Sequence, residues 1–373
     1  MKKILFVIGT RPEAIKMAPL IKGFLAQSDI FDLHLCLTAQ HRQMLDQVID
    51  FFQLQPHTDL DLMTPNQSLS ALSSRLMDGI TAVIENFKPD YVFVHGDTST
   101  AMIASLASFY LKKKIVHIEA GLRTQNIYSP FPEEANRQII SRLATLHMAP
   151  TLQSQQVLLD EKVNEEHITV TGNTVIDALF LGLKIVKESP SEKLQRFKNS
   201  LTKAPVILVT THRRENQGKG ILEICKALKA IAIEFSGFQI VFPVHLNPKI
   251  LQPVHQELKG IDNIQLLEPL DYELFIWIMQ RSYLIITDSG GIQEEAPSLN
   301  KPVLVMREFT ERQEAVASGA VLLVGNDKER IIKETRNLIN NKTHYNKMAG
   351  AVNPYGDGTA VAKIIDVMKS LDA

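Results

Sequence analysis

Short apolar runs alternate with helix-like patterns along the whole chain, and this alternation limits the possible folds more than any other feature of the sequence. The clearest strand-like runs in the first half are Ile4–Ile8, Leu33–Leu37, Tyr91–Val94, Ile115–Ile118 and Ile168–Val170. Those in the second half are Val206–Val209, Gln239–Phe242, Leu284–Thr287 and Val303–Met306. Strands that are separated by helices pair in parallel, with helices on both faces of the sheet. The sequence therefore predicts an α/β protein.

The length predicts two domains, because 373 residues are too many for one ordinary core. The polar, proline-containing segment 187–192 is the best candidate for a linker. We therefore expect an N-terminal domain over residues 1–185 and a C-terminal domain over residues 186–357. Residues 4–13 and 206–215 resemble each other, since each is a strand followed by Thr, a basic residue and Glu. Two similar domains facing each other would form a cleft between the carboxyl ends of their sheets.

Composition excludes several classes of protein. A net charge of -1 argues against nucleic acid as a partner. The only cysteines, Cys36 and Cys225, lie in apolar segments, which indicates reduced thiols in a cytoplasmic protein without a cysteine metal site. The apolar run at the N-terminus is too short for a signal peptide, and Ala101–Leu111 falls short of the roughly 20 residues that a membrane span needs. No Gly-x-Gly-x-x-Gly and no P-loop motif occurs, so nicotinamide and P-loop chemistry lose support.

Carboxylates follow the strands of the first half at the predicted carboxyl edge of the sheet. Asp97 comes shortly after one strand, Glu119 directly continues the next, and Glu133 follows soon afterwards. Asp97 could instead cap the following helix, for which Asp is a preferred residue. Glu133 and Glu134 open a helix after Pro132, where acids are expected for structural reasons alone. Glu119 continues a buried strand and is followed by Ala and Gly, which favours a functional site.

The second half carries histidines, arginines and a pair of glycines at the corresponding positions. His212 and His245 each follow a strand, although either could be a hydrogen-bonded loop histidine. In the segment Thr287–Pro297 a strand ends, Gly290 and Gly291 allow close approach of a ligand, and a helix begins with N–H groups that bind phosphate. Glu295, about one turn later, would accept hydrogen bonds from sugar hydroxyls. The alternative is that the two glycines form only a tight turn.

The segment Gly9-Thr10-Arg11-Pro12-Glu13 combines a helix start with a cation. Thr10 and Glu13 form a capping-box pattern, and Pro12 suits the first turn. A helix N-terminus is partially positive, so a cation there is unfavourable unless an anion lies between them. We therefore expect Arg11, Lys16 and Arg213 or Arg214 to bind a diphosphate, for which arginine has the matching planar geometry. An Arg11–Glu13 ion pair is the alternative, but residues so close in sequence do not face each other on a helix.

Together these motifs resemble the non-hydrolysing UDP-N-acetylglucosamine 2-epimerases. The stretches that carry the resemblance follow in order along essentially the whole chain. They are residues 9–19, 38–46, 95–98, 118–124, 132–137, 171–178, 212–216, 287–302, 310–312 and 353–358.

The resemblance implies two Rossmann-like domains facing across a cleft, in a glycosyltransferase-B-like fold. It also implies that a C-terminal helix at about 358–373 packs back on the first domain. The activity that it implies is the reversible conversion of UDP-GlcNAc to UDP-ManNAc, by elimination and re-addition of UDP through a 2-acetamidoglucal. Such an enzyme supplies ManNAc units for cell-surface polysaccharides, needs no nicotinamide or metal cofactor, and is commonly a homodimer.

By the same resemblance, Asp97, Glu119 and Glu133 are the acid and base candidates, with no assignment of which one takes the C2 proton. His212 is a further catalytic candidate that faces the diphosphate with Arg11 and Lys16. The UDP-binding candidates are Arg213, Phe275 near the uracil, Ser289, Gly290, Gly291, Glu295 and Arg312.

Some bacterial members bind a second substrate molecule as an activator. The residues that match this site here are Gln40, His41, Gln43, Arg213 and His245. An arginine used there corresponds to Asn66 in this chain, and Gln313 stands where the family more often has Pro. Three alternatives remain: a hydrolysing epimerase that releases ManNAc and UDP, a glycosyltransferase, and a sugar-nucleotide sensor without turnover.

Overall fold

Two α/β units make up the chain. The computed structural model describes residues 1–38, 42–62, 64 and 67–371, with residues 42–44 described by their backbone alone. The first unit comprises Met1–Leu181 and Tyr355–Ala373, and the second comprises Gly182–Pro354. The chain therefore crosses between the units twice. The first crossing lies within the helix Thr174–Glu188, which also contains the predicted boundary at residues 185 and 186.

The first unit is built on a parallel sheet that has seven strands among the described residues. In chain order these are β1 (Lys2–Ile8), β2 (Phe31–Leu37), β3 (Thr58–Asp59), β4 (Tyr91–His95), β5 (Lys114–Ile118), β6 (Leu146–Ala149) and β7 (Ile168–Val170). Their order across the sheet is β3-β2-β1-β4-β5-β6-β7. The connecting helices are α1 (Arg11–Leu25), α2 (Arg42–Phe51), α3 (Leu69–Phe87), α4 (Ser99–Tyr110), α5 (Glu133–Leu143), α6 (Leu152–Asp160) and α7 (Thr174–Glu188).

The strand order changes direction between β1 and β4, and this is the switch point of the first sheet. Parallel α/β sheets bind ligands outside the carboxyl ends of the strands at such a point. Both strands are buried on both faces, which explains why their sequences are apolar without alternation. The ring of Phe6 on β1 stacks on Phe93 of β4 with 4.7 Å between centroids, and Phe24 of α1 packs edge-on against both. Burial of each such ring stabilises the fold by about 2 kcal/mol.

The second unit repeats this architecture with a six-stranded parallel sheet. Its strands are β8 (Val206–Thr210), β9 (Gln239–Pro243), β10 (Ile264–Leu267), β11 (Ser282–Thr287), β12 (Val303–Val305) and β13 (Val321–Leu323), in the order β10-β9-β8-β11-β12-β13. Its helices are α8 (Glu192–Ser200), α9 (Lys219–Glu234), α10 (Pro248–Leu258), α11 (Tyr272–Arg281), α12 (Gly290–Glu295), α13 (Gln313–Ala317), α14 (Lys328–Asn340) and α15 (Lys342–Ala349). The switch point lies between β8 and β11.

The last helix, α16 (Ala360–Ser370), belongs to the first unit. The carboxylate of Asp177 on α7 accepts a hydrogen bond of 3.0 Å from the N–H of Val361, so α7 caps the start of α16. At the other end of α16, the Lys2 ammonium donates to the carbonyl oxygen of Met368 at 2.7 Å and to that of Leu371. The first strand and the last helix of the chain are therefore tied together.

The prediction of two α/β domains with parallel sheets is confirmed. Each of the nine predicted strands coincides with an observed strand to within two residues at either end. Strands β3, β6, β10 and β13 were not predicted. They have two to four residues each, and β10 and β13 are mostly half-exposed, so their sequences lack the long apolar run that marks the central strands.

No helix among the described residues is long and apolar enough to cross a membrane.

The substitution Gly356→Ala tests the contact between the two chain segments at the second crossing. Gly356 has a φ of +114°, and an added Cβ would lie 3.3 Å from the Cα of Gly172. We expect the free energy of unfolding to fall by about 2 kcal/mol in urea denaturation, since this backbone conformation is essentially restricted to glycine. Gly237→Ala is the control, because its Cβ would meet nothing within 4 Å. Equal stability of the two variants would contradict this expectation.

Candidate active site

The loop after β1 forms the predicted helix start at the first switch point. The Glu13 carboxylate accepts hydrogen bonds from the N–H groups of Gly9 at 3.2 Å and Thr10 at 2.7 Å, and from the Thr98 hydroxyl at 2.8 Å. The capping box is therefore confirmed. Burial raises the pKa of Glu13 to about 7, although the hydrogen bonds from Thr10, Thr98 and Gly9 oppose this. Near neutral pH this acid is thus only partly ionised, and the positive end of α1, where Arg11 lies, favours an external anion.

Glu119 follows β5, and neighbouring side chains hold its carboxylate. Its carboxylate forms an ion pair with Lys16 of α1 and accepts a hydrogen bond of 2.8 Å from the side-chain amide of Asn173. The Nε2 atom of His95 lies 3.8 Å from the same carboxylate oxygen. The backbone of Glu119 has a φ of +62°, a left-handed conformation that costs a non-glycine residue about 1 kcal/mol. Such strain persists where the surrounding structure fixes it, and it is common at functional sites.

Asp97 lies just beyond β4, close enough to Glu119 and Glu133 to be affected by their charges. Burial raises its pKa, and the charges of Glu119 and Glu133 raise it further, while an ion pair with Arg137 at 2.5 Å opposes the rise. The alternative role of Asp97 as a helix cap is wrong. Thr98 caps α4 instead, accepting a hydrogen bond of 3.0 Å from the N–H of Ala101.

Glu133 and Glu134 begin α5, as predicted, but their environments differ. Glu134 is buried and binds the N–H of Thr124 at 3.0 Å, the Arg137 guanidinium at 2.9 Å and the Gln138 amide at 3.1 Å. Glu134 is therefore an acid at a helix start that has a structural role. Glu133 is half-buried, and its Oε2 atom has no hydrogen-bond partner among the described residues. A carboxylate oxygen in that state can accept a proton or a hydrogen bond from a ligand.

Two buried histidines support this edge of the sheet without adding charge. The His117 ring on β5 lies 2.8 Å from the carbonyl oxygen of Gly96, which directly precedes Asp97. Burial lowers the pKa of His95 to about 4 and that of His117 to about 3. Both rings are therefore neutral at pH 7, and the positive charge near Asp97 and Glu119 comes from Arg137 and Lys16.

In the second unit, the fully buried Asp288 after β11 fixes the loop after β8. Its carboxylate accepts hydrogen bonds from the Thr211 hydroxyl at 2.7 Å, the Asn216 amide at 2.9 Å and the backbone N–H groups of His212 at 3.1 Å and Arg213 at 3.0 Å. Burial by itself would raise the pKa of Asp288. These hydrogen bonds, with that from the His212 ring, outweigh burial and lower the pKa to about 2.

Asp288 also orients the His212 ring. The Nδ1 atom of His212 lies 3.1 Å from the Asp288 carboxylate, so Nδ1 carries the hydrogen and Nε2 points away from it. The His212 side chain is 41% exposed and its ring centroid lies 6.3 Å from that of His245. The Nε atom of Arg213 is buried and has no partner among the described residues. This loop therefore offers donors to an anion.

The glycine pair begins α12 in the second unit. An added Cβ at Gly290 would lie 3.1 Å from the guanidinium carbon of Arg312, so the start of α12 packs closely against this arginine. Arg312 forms an ion pair of 2.7 Å with Glu294. The remaining candidates take different positions: Ser289 is the N-cap residue of α12 and Gly291 its second residue, Glu295 is buried at its end, and Phe275 is half-buried in α11.

The candidate activator site lies mostly outside the described residues. Gln40, His41 and Asn66 lie outside the described residues, as does the side chain of Gln43. His245 is exposed, and its Nδ1 atom accepts a hydrogen bond of 3.1 Å from the N–H of Asn247. Among residues 1–38, 42–62, 64 and 67–371, no cluster of three His, Cys, Asp or Glu side chains could hold a metal ion.

Several residues of these two edges were not among the predicted site residues, namely His95, Arg137, Asn173, Asp288 and Glu294. All five lie within or next to the motifs from which the candidates were taken. Their roles depend on which neighbour each side chain reaches, and sequence spacing does not show this.

Solved structures define the class of protein. The chain has a TM-score of 0.90 and 47% identity to UDP-GlcNAc 2-epimerase from Neisseria meningitidis bound to UDP-GlcNAc, over 99% of this chain and 100% of that one. It has a TM-score of 0.80 and 32% identity to the Methanocaldococcus jannaschii enzyme in complex with UDP-GlcNAc and UDP, over 98% and 99%. The chain is thus a two-domain α/β protein with the glycosyltransferase-B-like fold of these structures.

The family follows from the sequence comparisons. A family model described as UDP-N-acetylglucosamine 2-epimerase matches residues 24–369. The UDP-N-acetylglucosamine 2-epimerase of Yersinia pestis is 53% identical over 371 residues, which are 99% of this chain and 98% of that protein. The Campylobacter jejuni protein of the same name is 52% identical, over 98% and 97%. The chain belongs to the UDP-N-acetylglucosamine 2-epimerase family, and the predicted resemblance is confirmed.

The substitution Asp288→Asn tests the anchoring of the His212 loop through its pH dependence. A carboxyl group whose pKa is lowered by folding stabilises the protein above its ordinary pKa, and this contribution is lost as the pH falls from about 4 to about 2. We expect the variant to be less stable by about 2 kcal/mol at pH 7, with a gap about 1 kcal/mol smaller at pH 3. Urea denaturation of the wild type and the variant at both pH values measures this difference in the free energy of unfolding.

The matched control is Asp262→Asn, at an exposed position of the same unit. It should leave the stability within about 0.5 kcal/mol of the wild type at both pH values. A gap for Asp288→Asn that does not change with pH would contradict the assigned role of its ionised carboxylate.

Proposed function

We propose that the chain catalyses the reversible epimerisation of UDP-GlcNAc to UDP-ManNAc at C2. The observation that carries the proposal is the grouping of Asp97, Glu119 and Glu133 at the first switch point, with Lys16 against Glu119. An epimerase must remove a proton from one face of a carbon and return it to the other face. Carboxylates in a partly buried site have the proton affinity for both steps.

The reaction proceeds by elimination. The C2 carbon of the sugar is not next to a carbonyl group, so a carbanion there has no stabilisation. Removal of the C2 proton is therefore coupled to cleavage of the bond between C1 and the phosphate oxygen. The electron pair of the C2–H bond forms the C1–C2 double bond, and UDP leaves with the C1–O pair. The product is 2-acetamidoglucal. Protonation of C2 from the opposite face and re-addition of UDP at C1 then give UDP-ManNAc.

The first unit supplies the acid and base groups. Two of Asp97, Glu119 and Glu133 act on opposite faces of C2, and which one takes the proton is left open. Burial raises the pKa of Asp97, which increases its affinity for a proton and suits a general acid or base. The unpartnered oxygen of Glu133 favours a group that faces the substrate. Arg11 and Lys16 bind the diphosphate and stabilise the charge that develops on the leaving UDP.

The second unit holds the nucleotide. His212 and Arg213 meet the diphosphate, and Ser289, Gly290 and Gly291 offer backbone and hydroxyl donors to it. Glu295 binds the ribose, Phe275 lies against the uracil and Arg312 completes the nucleotide side. Support comes from the relatives, since the structure from M. jannaschii is a complex with UDP-GlcNAc and UDP.

Five finer features belong to the same proposal. The enzyme is of the non-hydrolysing type, because the site provides for return of a proton and UDP to the glucal. It supplies ManNAc units for cell-surface polysaccharides, works in the cytoplasm and forms a homodimer. Gln40, His41, Gln43 and His245 form an activator site for a second substrate molecule.

Incubation with UDP-GlcNAc in D2O tests the reaction. We expect UDP-ManNAc with deuterium at C2 by NMR, because the returned proton comes from a group that exchanges with solvent. With 18O in the bridge between C1 and phosphorus, the label should scramble into non-bridging positions, since UDP is free to rotate after elimination. Product without deuterium would rule out proton exchange at C2. Accumulation of free ManNAc and UDP would instead establish the hydrolysing type.

The variants Asp97→Asn, Glu119→Gln and Glu133→Gln test the three carboxylates. Each should lower kcat by roughly 10² to 10⁴-fold while UDP-GlcNAc still binds, because general acid–base catalysis contributes about that much. Steady-state kinetics and calorimetric binding measure the two effects. Glu85→Gln on the exposed surface of α3 is the control and should keep wild-type kinetics. A fully active Glu119→Gln enzyme would contradict the assignment of Glu119.

A further inference from the structure

Asn173 lies between β7 and α7 and forms hydrogen bonds with both its backbone and its side chain. Its backbone N–H donates to the carbonyl oxygen of Tyr355 at 2.7 Å, at the second crossing of the chain between units. Its side-chain oxygen accepts a hydrogen bond of 3.0 Å from the N–H of Val175, as an N-cap residue does. Its side-chain nitrogen donates to the Glu119 carboxylate at 2.8 Å.

These contacts determine the direction of the amide. Because the Oδ1 atom is used by the start of α7, the NH2 group must point at Glu119. Asn173 is only 4% exposed, and its backbone N–H is bound to the carbonyl oxygen of Tyr355. The donor that faces Glu119 therefore has little freedom to move.

We propose that Asn173 is a positioning residue that holds the Glu119 carboxylate in its reactive orientation during the epimerisation. This inference rests on the proposed function of Glu119. It assigns a role to a side chain that does not itself meet the sugar.

Lys16 and Asn173 both contact the Glu119 carboxylate, and they differ in a way that supports this role. Lys16 is a compact charge on a flexible stem, and the proposed diphosphate attracts it. Its pairing with Glu119 then weakens as the substrate binds. The Asn173 amide is neutral and gains nothing from the diphosphate, so it continues to hold the Glu119 carboxylate. A neutral donor also leaves the negative charge of the carboxylate in place.

Other charged and titratable groups among the described residues also surround Glu119. They include Lys16, His95 and Asp97, from α1, β4 and the loop after β4. His95 is neutral at pH 7, since burial lowers its pKa to about 4. A second carboxylate at position 173 would therefore add a negative charge beside Glu119.

The decisive variant is Asn173→Asp. It keeps an oxygen for the N–H of Val175, so the cap of α7 remains, but it replaces the donor facing Glu119 by a second carboxylate. We expect kcat to fall at least tenfold, while KM for UDP-GlcNAc changes less than threefold. A like charge favours the protonated form of Glu119, so the acidic limb of the kcat/KM profile should move to higher pH. Steady-state kinetics between pH 5 and pH 9 measure kcat, KM and the position of the acidic limb.

The matched control is Asn341→Asp. Asn341 caps α15 through the N–H of His344 at 3.0 Å, in the same way that Asn173 caps α7, and it touches none of the proposed site residues. Its kinetics and pH profile should be those of the wild type. An Asn173→Asp enzyme with an unmoved acidic limb and kcat within twofold of the wild type would overturn the proposal.

A second measurement tests the contact without using activity. In the double variant Asn173→Asp with Glu119→Gln, the hydrogen bond is restored with donor and acceptor exchanged. We expect a Tm several degrees below the wild type for Asn173→Asp, recovered in the double variant, which stays inactive. If the Tm of the double variant did not recover, the contact between Asn173 and Glu119 would be contradicted. If the wild-type chain does not epimerise UDP-GlcNAc, the proposed function fails, and recovery of Tm alone would then reduce Asn173 to a structural residue.

Discussion

Parallel pairing of the strands is the constraint on which the rest of the structure depends. All strands of a parallel sheet end at the same edge, so loops that are far apart in sequence meet there. In the first unit this brings together the loops after β1, β4 and β5. In the second unit it places the loop after β8 beside the start of α12. The switch point of each sheet then leaves room for a ligand between the two loops.

Buried carboxylates at these edges differ in function because they differ in their neighbours. Asp288 is surrounded by donors, stays ionised and orders a loop. Burial and two neighbouring acids favour the protonated form of Asp97, while the Arg137 cation opposes it. Glu134 is saturated by hydrogen bonds, whereas its neighbour Glu133 is not. One residue type thus provides anchors as well as candidates for proton transfer.

The fold was predictable from the sequence to a large extent, and the site only in part. Central strands such as β1 and β8 are continuous apolar runs, because they are buried on both faces. Positions after the strands were likewise predictable, including the capping box at Glu13. The partner of each side chain was not. Nothing in the sequence distinguishes the saturated Glu134 from Glu133, or shows that the amide of Asn173 reaches Glu119 across 54 residues of chain. Such contacts depend on how the sheet is assembled.

The return of the chain to its first unit has a consequence for biosynthesis. Residues 1–181 leave the ribosome long before Tyr355 and α16, which complete the same unit. Until then, β1 lacks the helix that holds Lys2, α7 has no helix to cap, and the backbone of Asn173 lacks its acceptor at Tyr355. A nascent chain that ends before Tyr355 thus contains all three candidate acids but only part of the first unit. The surroundings of the candidate acids are therefore complete only after the segment that begins at Tyr355 has been translated.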